Sequence, residues 1–195
     1  MITRFCRYVG ACALAAAAAI PMSATAQEYD IGFDDRYFLS GNAGFLVTDS
    51  EDQDNGGSVM LTGGKFIGHR TAVEAFASYG EVEVDRISST YERLVAGGHF
   101  MLFLNDARRA RFYGLLGAGL HNINFLGEEV TGLSYNGGGG IMFRLNNNMD
   151  LRLEGQYLVD HIDEEGVLVE DDFYTYRATL GLLYRIGTWP PPPPD

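Results

Sequence analysis

Residues 177–186 read RATLGLLYRI. Taken alternately, Ala178, Leu180, Leu182, Tyr184 and Ile186 fall on one side, and Arg177, Thr179, Gly181, Leu183 and Arg185 on the other. Successive side chains of a β-strand point to opposite faces, so this stretch is a strand with one apolar face and one face that carries charge.

The same reading extends toward the N-terminus. Leu151, Leu153, Gly155, Tyr157 and Val159 alternate with Arg152, Glu154, Gln156 and Leu158. Ile141, Phe143 and Leu145 alternate with Met142 and Arg144, and Leu94, Ala96, Gly98, Phe100, Leu102 and Leu104 with Arg93, Val95, His99 and Met101. Val73, Ala75, Ala77 and Tyr79 oppose Glu74, Phe76 and Ser78. Three more segments, 37–48, 57–68 and 111–125, read as strand from length and flanking turns. Glycine and apolar residues fall on both of their faces, so their lipid side stays unassigned. Eight segments between 37 and 187 suit strands of about 9–11 residues plus connections, the length that crosses a bilayer at a tilt.

Connections alternate between short (67–71, 105–110, 146–149) and long (49–58, 81–91, 126–134, 160–173). Acids follow the long set: Asp49, Glu51, Asp52, Asp54, then Glu81, Glu83, Asp85, then Glu128 and Glu129, then Asp163, Glu164, Glu165, Glu170, Asp171 and Asp172. Basic residues occupy the short set, with His69, Arg70, Arg108, Arg109 and Arg111. Short turns on one side and long loops on the other are the habit of membrane-spanning β-barrels. No run of 18 apolar residues follows residue 26, so a spanning helix is not expected.

The N-terminus supplies the address. Arg4 and Arg7 precede the apolar run Val9 to Ile20, and Ser23-Ala24-Thr25-Ala26 offers small residues to a signal peptidase. Cleavage is expected after Ala26, giving a signal peptide over 1–26 and a short lead-in over 27–36. Cys12 follows too little apolar chain for a lipoprotein site. Both cysteines, Cys6 and Cys12, would leave with the signal peptide, which fits a fold held by a closed hydrogen-bonded sheet. Loss of two arginines and no acid would take the formal charge from -12 to -14, a balance that argues against nucleic acid as a partner.

Closure follows from the solvent. An unpaired backbone N–H or C=O costs several kcal/mol in hydrocarbon, so the sheet must have no edges. Eight strands leave a lumen that side chains can fill. Glu74, Arg93, Arg144, Arg152 and Glu154 are expected to pair there and plug it, with Lys65, His99 and Arg177 as further candidates on the polar faces. The fold class is therefore all-β, a closed antiparallel eight-stranded up-and-down transmembrane barrel over 37–188.

Thr179, Gly181, Tyr184 and Ile186 fit polar-x-Gly-x-x-aromatic-x-apolar at the end of the last strand. This resembles the terminal signal read by the outer-membrane assembly machinery, which engages exposed strand edges. Trp189 and Pro190 to Pro194 follow, and a proline run leaves the sheet as a stiff spacer, so 189–195 reads as a linker stub. Over about residues 30–188 these features together resemble the N-terminal membrane barrel of the OmpA family. In that family a periplasmic peptidoglycan-binding domain often follows the linker; the sequence given stops within it, and peptidoglycan anchoring is not expected of it.

No catalytic, cofactor or metal site is expected. His161 lies between Asp160 and Asp163; Asp160 should face the opposite way while Asp163 could orient the ring, and a histidine beside solvated acids is the plainer reading. His99 and His121 have no second ligand at metal spacing. Asp52-Gln-Asp54-Asn55-Gly56 lacks the later glutamate of a calcium loop, since Gly63 stands there. Gly137 to Gly140 sits in a strand with no helix after it and suits close packing rather than phosphate binding. The expected function is a non-enzymatic, monomeric outer-membrane barrel with a narrow or plugged lumen and a role in envelope integrity. Outer-membrane lipid and lipopolysaccharide would be its surroundings, and the assembly machinery its partner in biogenesis. The alternative is a surface-binding module acting through the acidic loops. A soluble lipocalin-like barrel would turn its apolar face inward, and a lipid-modifying enzyme would need a His–Ser or His–carboxylate set at the rim.

Overall fold

A computed structural model describes residues 34–48, 55–84, 89–107, 109–125, 128–161 and 173–187. The chain forms eight strands: β1 (Tyr37–Thr48), β2 (Gly56–Gly68), β3 (Thr71–Val84), β4 (Ser89–Phe103), β5 (Ala110–Phe125), β6 (Glu128–Arg144), β7 (Met149–His161) and β8 (Phe173–Ile186). Each pairs antiparallel with its sequence neighbours, and β1 pairs with β8, so the sheet closes with no edge. Among the described residues no helix is long and apolar enough to cross a membrane; strands do the crossing.

Stagger follows from the register. Stepping across partners from Tyr37 through Lys65, Val73, Phe100, Leu116, Gly137, Tyr157 and Tyr176 returns to β1 at Val47, ten residues further along. That offset tilts the strands and sets the barrel's width. It leaves an interior just wide enough for side chains to meet.

Orientation of the side chains is inverted relative to a water-soluble protein. Leu61, Phe45 and Leu116 are 70%, 71% and 71% exposed, and they belong to a belt that includes Leu39, Leu94, Leu120, Leu153, Leu180 and Leu182. A contiguous apolar surface of that extent marks contact with another apolar phase. Tyr79, Tyr135, Tyr157 and Tyr176 ring its loop end and Tyr37 and Tyr184 its short-turn end, the positions where amphipathic rings meet headgroups. Tyr157 stacks on Tyr174 at 5.9 Å and meets Tyr176 at 5.0 Å.

Two sequence readings need correction. The strands are longer than the expected nine to eleven residues, reaching 16 in β5 and 17 in β6. Consequently the third long loop, expected over 126–134, is mostly ladder, since Phe125 pairs with Glu128; the second shrinks likewise, with Val84 opposite Ser89. Apolar alternation ends where lipid ends, but backbone hydrogen bonds remain favourable beyond it, so the hairpins continue with polar side chains. The acids from Asp49 to Asp54, Asp85 and those from Asp163 to Asp172 lie outside the described residues.

The second correction is Lys65. It faces outward, its Nζ 4.9 Å from the centroid of the Tyr37 ring, near the short-turn end of β2. A long aliphatic stem can run along the apolar face while the ammonium rests at the interface, so it takes no part in the lumen.

Candidate functional site

The inward faces converge on the lumen, which is stacked in layers. The middle layer is built around Arg152, fully buried. Its Nη1 and Nη2 donate to the two oxygens of Glu74 at 2.8 Å each. Its Nε donates to Glu154 Oε2 at 2.9 Å, and Nη2 bonds the same oxygen. Tyr113 donates its hydroxyl to Glu154 at 2.7 Å and accepts from Arg152 Nε at 3.0 Å. His99 Nδ1 lies 2.8 Å from Glu74 Oε1, with its ring stacked 4.1 Å from Phe76. Gln156 donates to Glu154 Oε1 at 2.6 Å and accepts from Arg177.

Sequence spacing accounts for much of this. Arg152, Glu154 and Gln156 sit at i, i+2 and i+4 of β7 and so share one face. Glu74 and His99 are direct register partners on β3 and β4. Gly140 makes room: a Cβ there would collide with the Tyr113 hydroxyl and the Leu153 carbonyl, so glycine admits the phenol that Glu154 needs.

Nearer the short turns lies an apolar plug. Phe38, Phe66 and Phe103 pack ring on ring at 5.1 and 5.8 Å, Tyr113 joins at 5.7 Å, and Ala72, Met101, Leu115, Met142 and Leu183 fill between them. Toward the loops, Met60, Phe76 and Val95 form a smaller apolar cluster. There Arg93 grips Asp160 through Nε and Nη2 at 2.7 and 2.6 Å, and Ser134 accepts from the same guanidinium at 3.2 Å. His121 Nδ1 lies 3.5 Å from Asp160.

At the short-turn mouth, Asp34 accepts from Arg36 Nε and Arg185 Nη1 at 2.8 Å each. Arg185 also bonds Asp150, and Arg144 Nε lies 3.6 Å from that carboxylate. Arg36 donates further to the carbonyls of Asn147 and Gly187, at 2.9 and 3.4 Å. Gly187 takes a φ of 113°, a left-handed bend that suits glycine and ends the ladder beside Arg36. This clasp ties the chain before β1 to the end of β8, across the seam that closes the barrel.

Burial by itself would raise the pKa of Asp34, but the guanidinia of Arg36 and Arg185 hold its carboxyl below the ordinary range. A carboxyl whose pKa is lower folded than unfolded stabilises above its unfolded value, about 3.9, and that contribution fades as pH falls through the folded value. Asp34→Asn should therefore lower the urea midpoint at pH 7 and narrow its gap to wild type below about pH 3.9. Urea titrations at both pH values check this.

Of the five residues expected to form a lumen network, Glu74, Arg152 and Glu154 meet directly. Arg93 sits apart with Asp160, and Arg144 stands at the mouth with Asp150. Sequence reasoning missed Asp34, Arg36, Tyr113, Asp150 and Asp160 as partners. Parity could have found two: Asp150 and Asp160 lie at even spacing from Arg152 on β7. Asp160 and His161 do point opposite ways, Asp160 inward and buried, His161 exposed; Asp163 lies outside the described residues. Thr179 and Gly181 of the terminal motif face the lumen, while Tyr184 and Ile186 face outward.

A model of the family described as outer membrane protein beta-barrel domain matches residues 12–188. Among solved structures, the chain is similar to Neisserial surface protein A, with a TM-score of 0.61 and 12% identity over 77% of this chain and 97% of that one. It is similar to OprG of Pseudomonas aeruginosa at 0.52 and 13%, covering 82% and 100%. To Ail, the attachment invasion locus protein of Yersinia pestis, the values are 0.50 and 18%, covering 78% and 99%. Identities this low speak for a shared fold alone. A search of the curated proteins finds no match.

Proposed function

Because this chain belongs to the outer membrane protein β-barrel domain family, we propose that it serves as a non-enzymatic structural barrel of the outer membrane, with a lumen that stays shut. The observation that carries the reading is the filled interior. An aromatic plug and the Arg152 network lie in series along the barrel axis, so an ion would have to displace both. The outward belt suits a monomer surrounded by lipid and lipopolysaccharide, with the loops outside and the short turns in the periplasm. Export by cleavage after Ala26, and engagement of the assembly machinery through Thr179, Gly181, Tyr184 and Ile186, complete the proposal.

Planar-bilayer recording tests it. Purified protein should give no large, stable conductance steps at moderate voltage. Steady open pores would overturn the closed lumen.

A further inference from the structure

We propose that the short-turn mouth of the lumen binds an oxyanion, a carboxylate or phosphate group, through Arg111 and Arg144. Four guanidinia meet there, those of Arg36, Arg111, Arg144 and Arg185, and the carboxylates paired with them are Asp34 and Asp150; Asp106, which also attracts Arg111 at longer range, is held by Arg70. Both are already shared: Asp34 between Arg36 and Arg185, Asp150 between Arg185 and Arg144. Arg111 meets no carboxylate at ion-pair distance among the described residues. It donates Nη2 to the His69 carbonyl at 2.8 Å and lies 3.8 Å from the Phe103 ring centroid and 5.6 Å from that of Phe66.

The register sharpens the imbalance. Arg111 pairs with Met142 on β6, and Arg144, two residues on, shares the inward face of Met142. The two arginines are thus diagonal neighbours on one face, a spacing of about 7–8 Å at which long side chains interact. Like charges so placed repel, and an anion between them removes the penalty. A guanidinium held by its face against a ring keeps edge N–H groups for a planar oxyanion. Arg185, 1% exposed, has a buried Nε with no hydrogen-bond partner, a second donor close to the same charge excess. Arg109, exposed in the adjacent turn, adds a field that draws anions toward this end of an otherwise acidic chain, whereas the charge of Arg70 is matched by Asp106 at 2.5 Å.

That the anion comes from the periplasm rests on the orientation proposed above; binding itself does not. Calorimetric titration of the whole barrel, refolded in zwitterionic micelles at low salt, tests the site. Probes are inorganic phosphate, an N-acetylated dipeptide with a free carboxylate, and its C-terminal amide. Saturable binding of phosphate, of the free carboxylate, or of both is expected, with none of the amide. Phosphate alone points to a small free anion as the source, the dipeptide alone to a peptide terminus. Arg111→Gln and Arg144→Gln should each weaken binding about tenfold, as loss of a charge-assisted bond does, while outward-facing Lys65→Gln leaves it unchanged. Retained gel mobility of the unboiled variants shows that they fold. Absence of saturable binding, or equal affinity in wild type and both arginine variants, overturns the proposal. An inverted barrel would leave the titration intact and instead expose these turns to protease on whole cells, so the two failures are separable.

Discussion

Arg152→Met is expected to destabilise the barrel by about 3–5 kcal/mol, the usual cost of removing one partner from a buried ion pair. The methionine fills much of the volume, so the loss is electrostatic rather than a cavity effect. Without the guanidinium, Glu74 and Glu154 face a shared low-dielectric centre from β3 and β7 with His99, Tyr113 and Gln156 as their remaining partners. Each carboxylate then keeps its burial cost without the guanidinium that offset it. A triple variant, Glu74→Gln, Arg152→Met and Glu154→Gln, should recover most of the loss, because a neutral interior of similar volume is often as stable as an ion pair. Urea unfolding in lipid vesicles, followed by the mobility of the folded band, reads both numbers. Equal midpoints for Arg152→Met and wild type would show that charge does not hold the centre.

Leu180→Arg and Leu116→Arg should each cost about 2–4 kcal/mol in vesicles, the range for arginine near the bilayer midplane, whereas Ile186→Arg should cost about 0–1 kcal/mol. Leu180 and Leu116 lie outward on β8 and β5, 54% and 71% exposed, in the middle of the belt; Ile186, the last residue of β8, opposes Tyr37 at its edge. In a soluble sheet the same exposed leucines would tolerate arginine within about 0.5 kcal/mol. Depth dependence is therefore the signature of lipid contact. Urea midpoints of the three variants give it directly, and a flat response across them would contradict it.

Period-two reading reached most of this architecture because the last three strands and β3–β4 keep charge on one face and apolar residues on the other. It failed on β1, β2 and β5 for a physical reason. The short-turn half of the lumen is itself apolar, lined by Phe38, Phe66, Tyr113 and Leu115, so both faces of those strands look greasy. Only the register shows that Phe38 turns in while Tyr37 and Leu39 turn out. Pairing across the lumen was harder still. Arg152 and Glu74 are 78 residues apart in sequence, and parity places each on the inner wall without saying which opposite side chain it meets. The Arg36 clasp was invisible for a similar reason: residues 34–36 precede the first strand, and only closure of β1 on β8 brings them to Gly187.

Single-cysteine scanning of β8 tests the inverted barrel most directly. Residues 27–195 contain no cysteine, so a label placed in turn at positions 178–184 of the refolded barrel is the sole reporter. Quenching by brominated acyl chains should alternate, strong at 178, 180 and 182 and weak at 179, 181 and 183, with 184 intermediate at the interface. Strong quenching at the odd positions, or none anywhere, would mean that leucines 180 and 182 do not face lipid, and the account would be wrong.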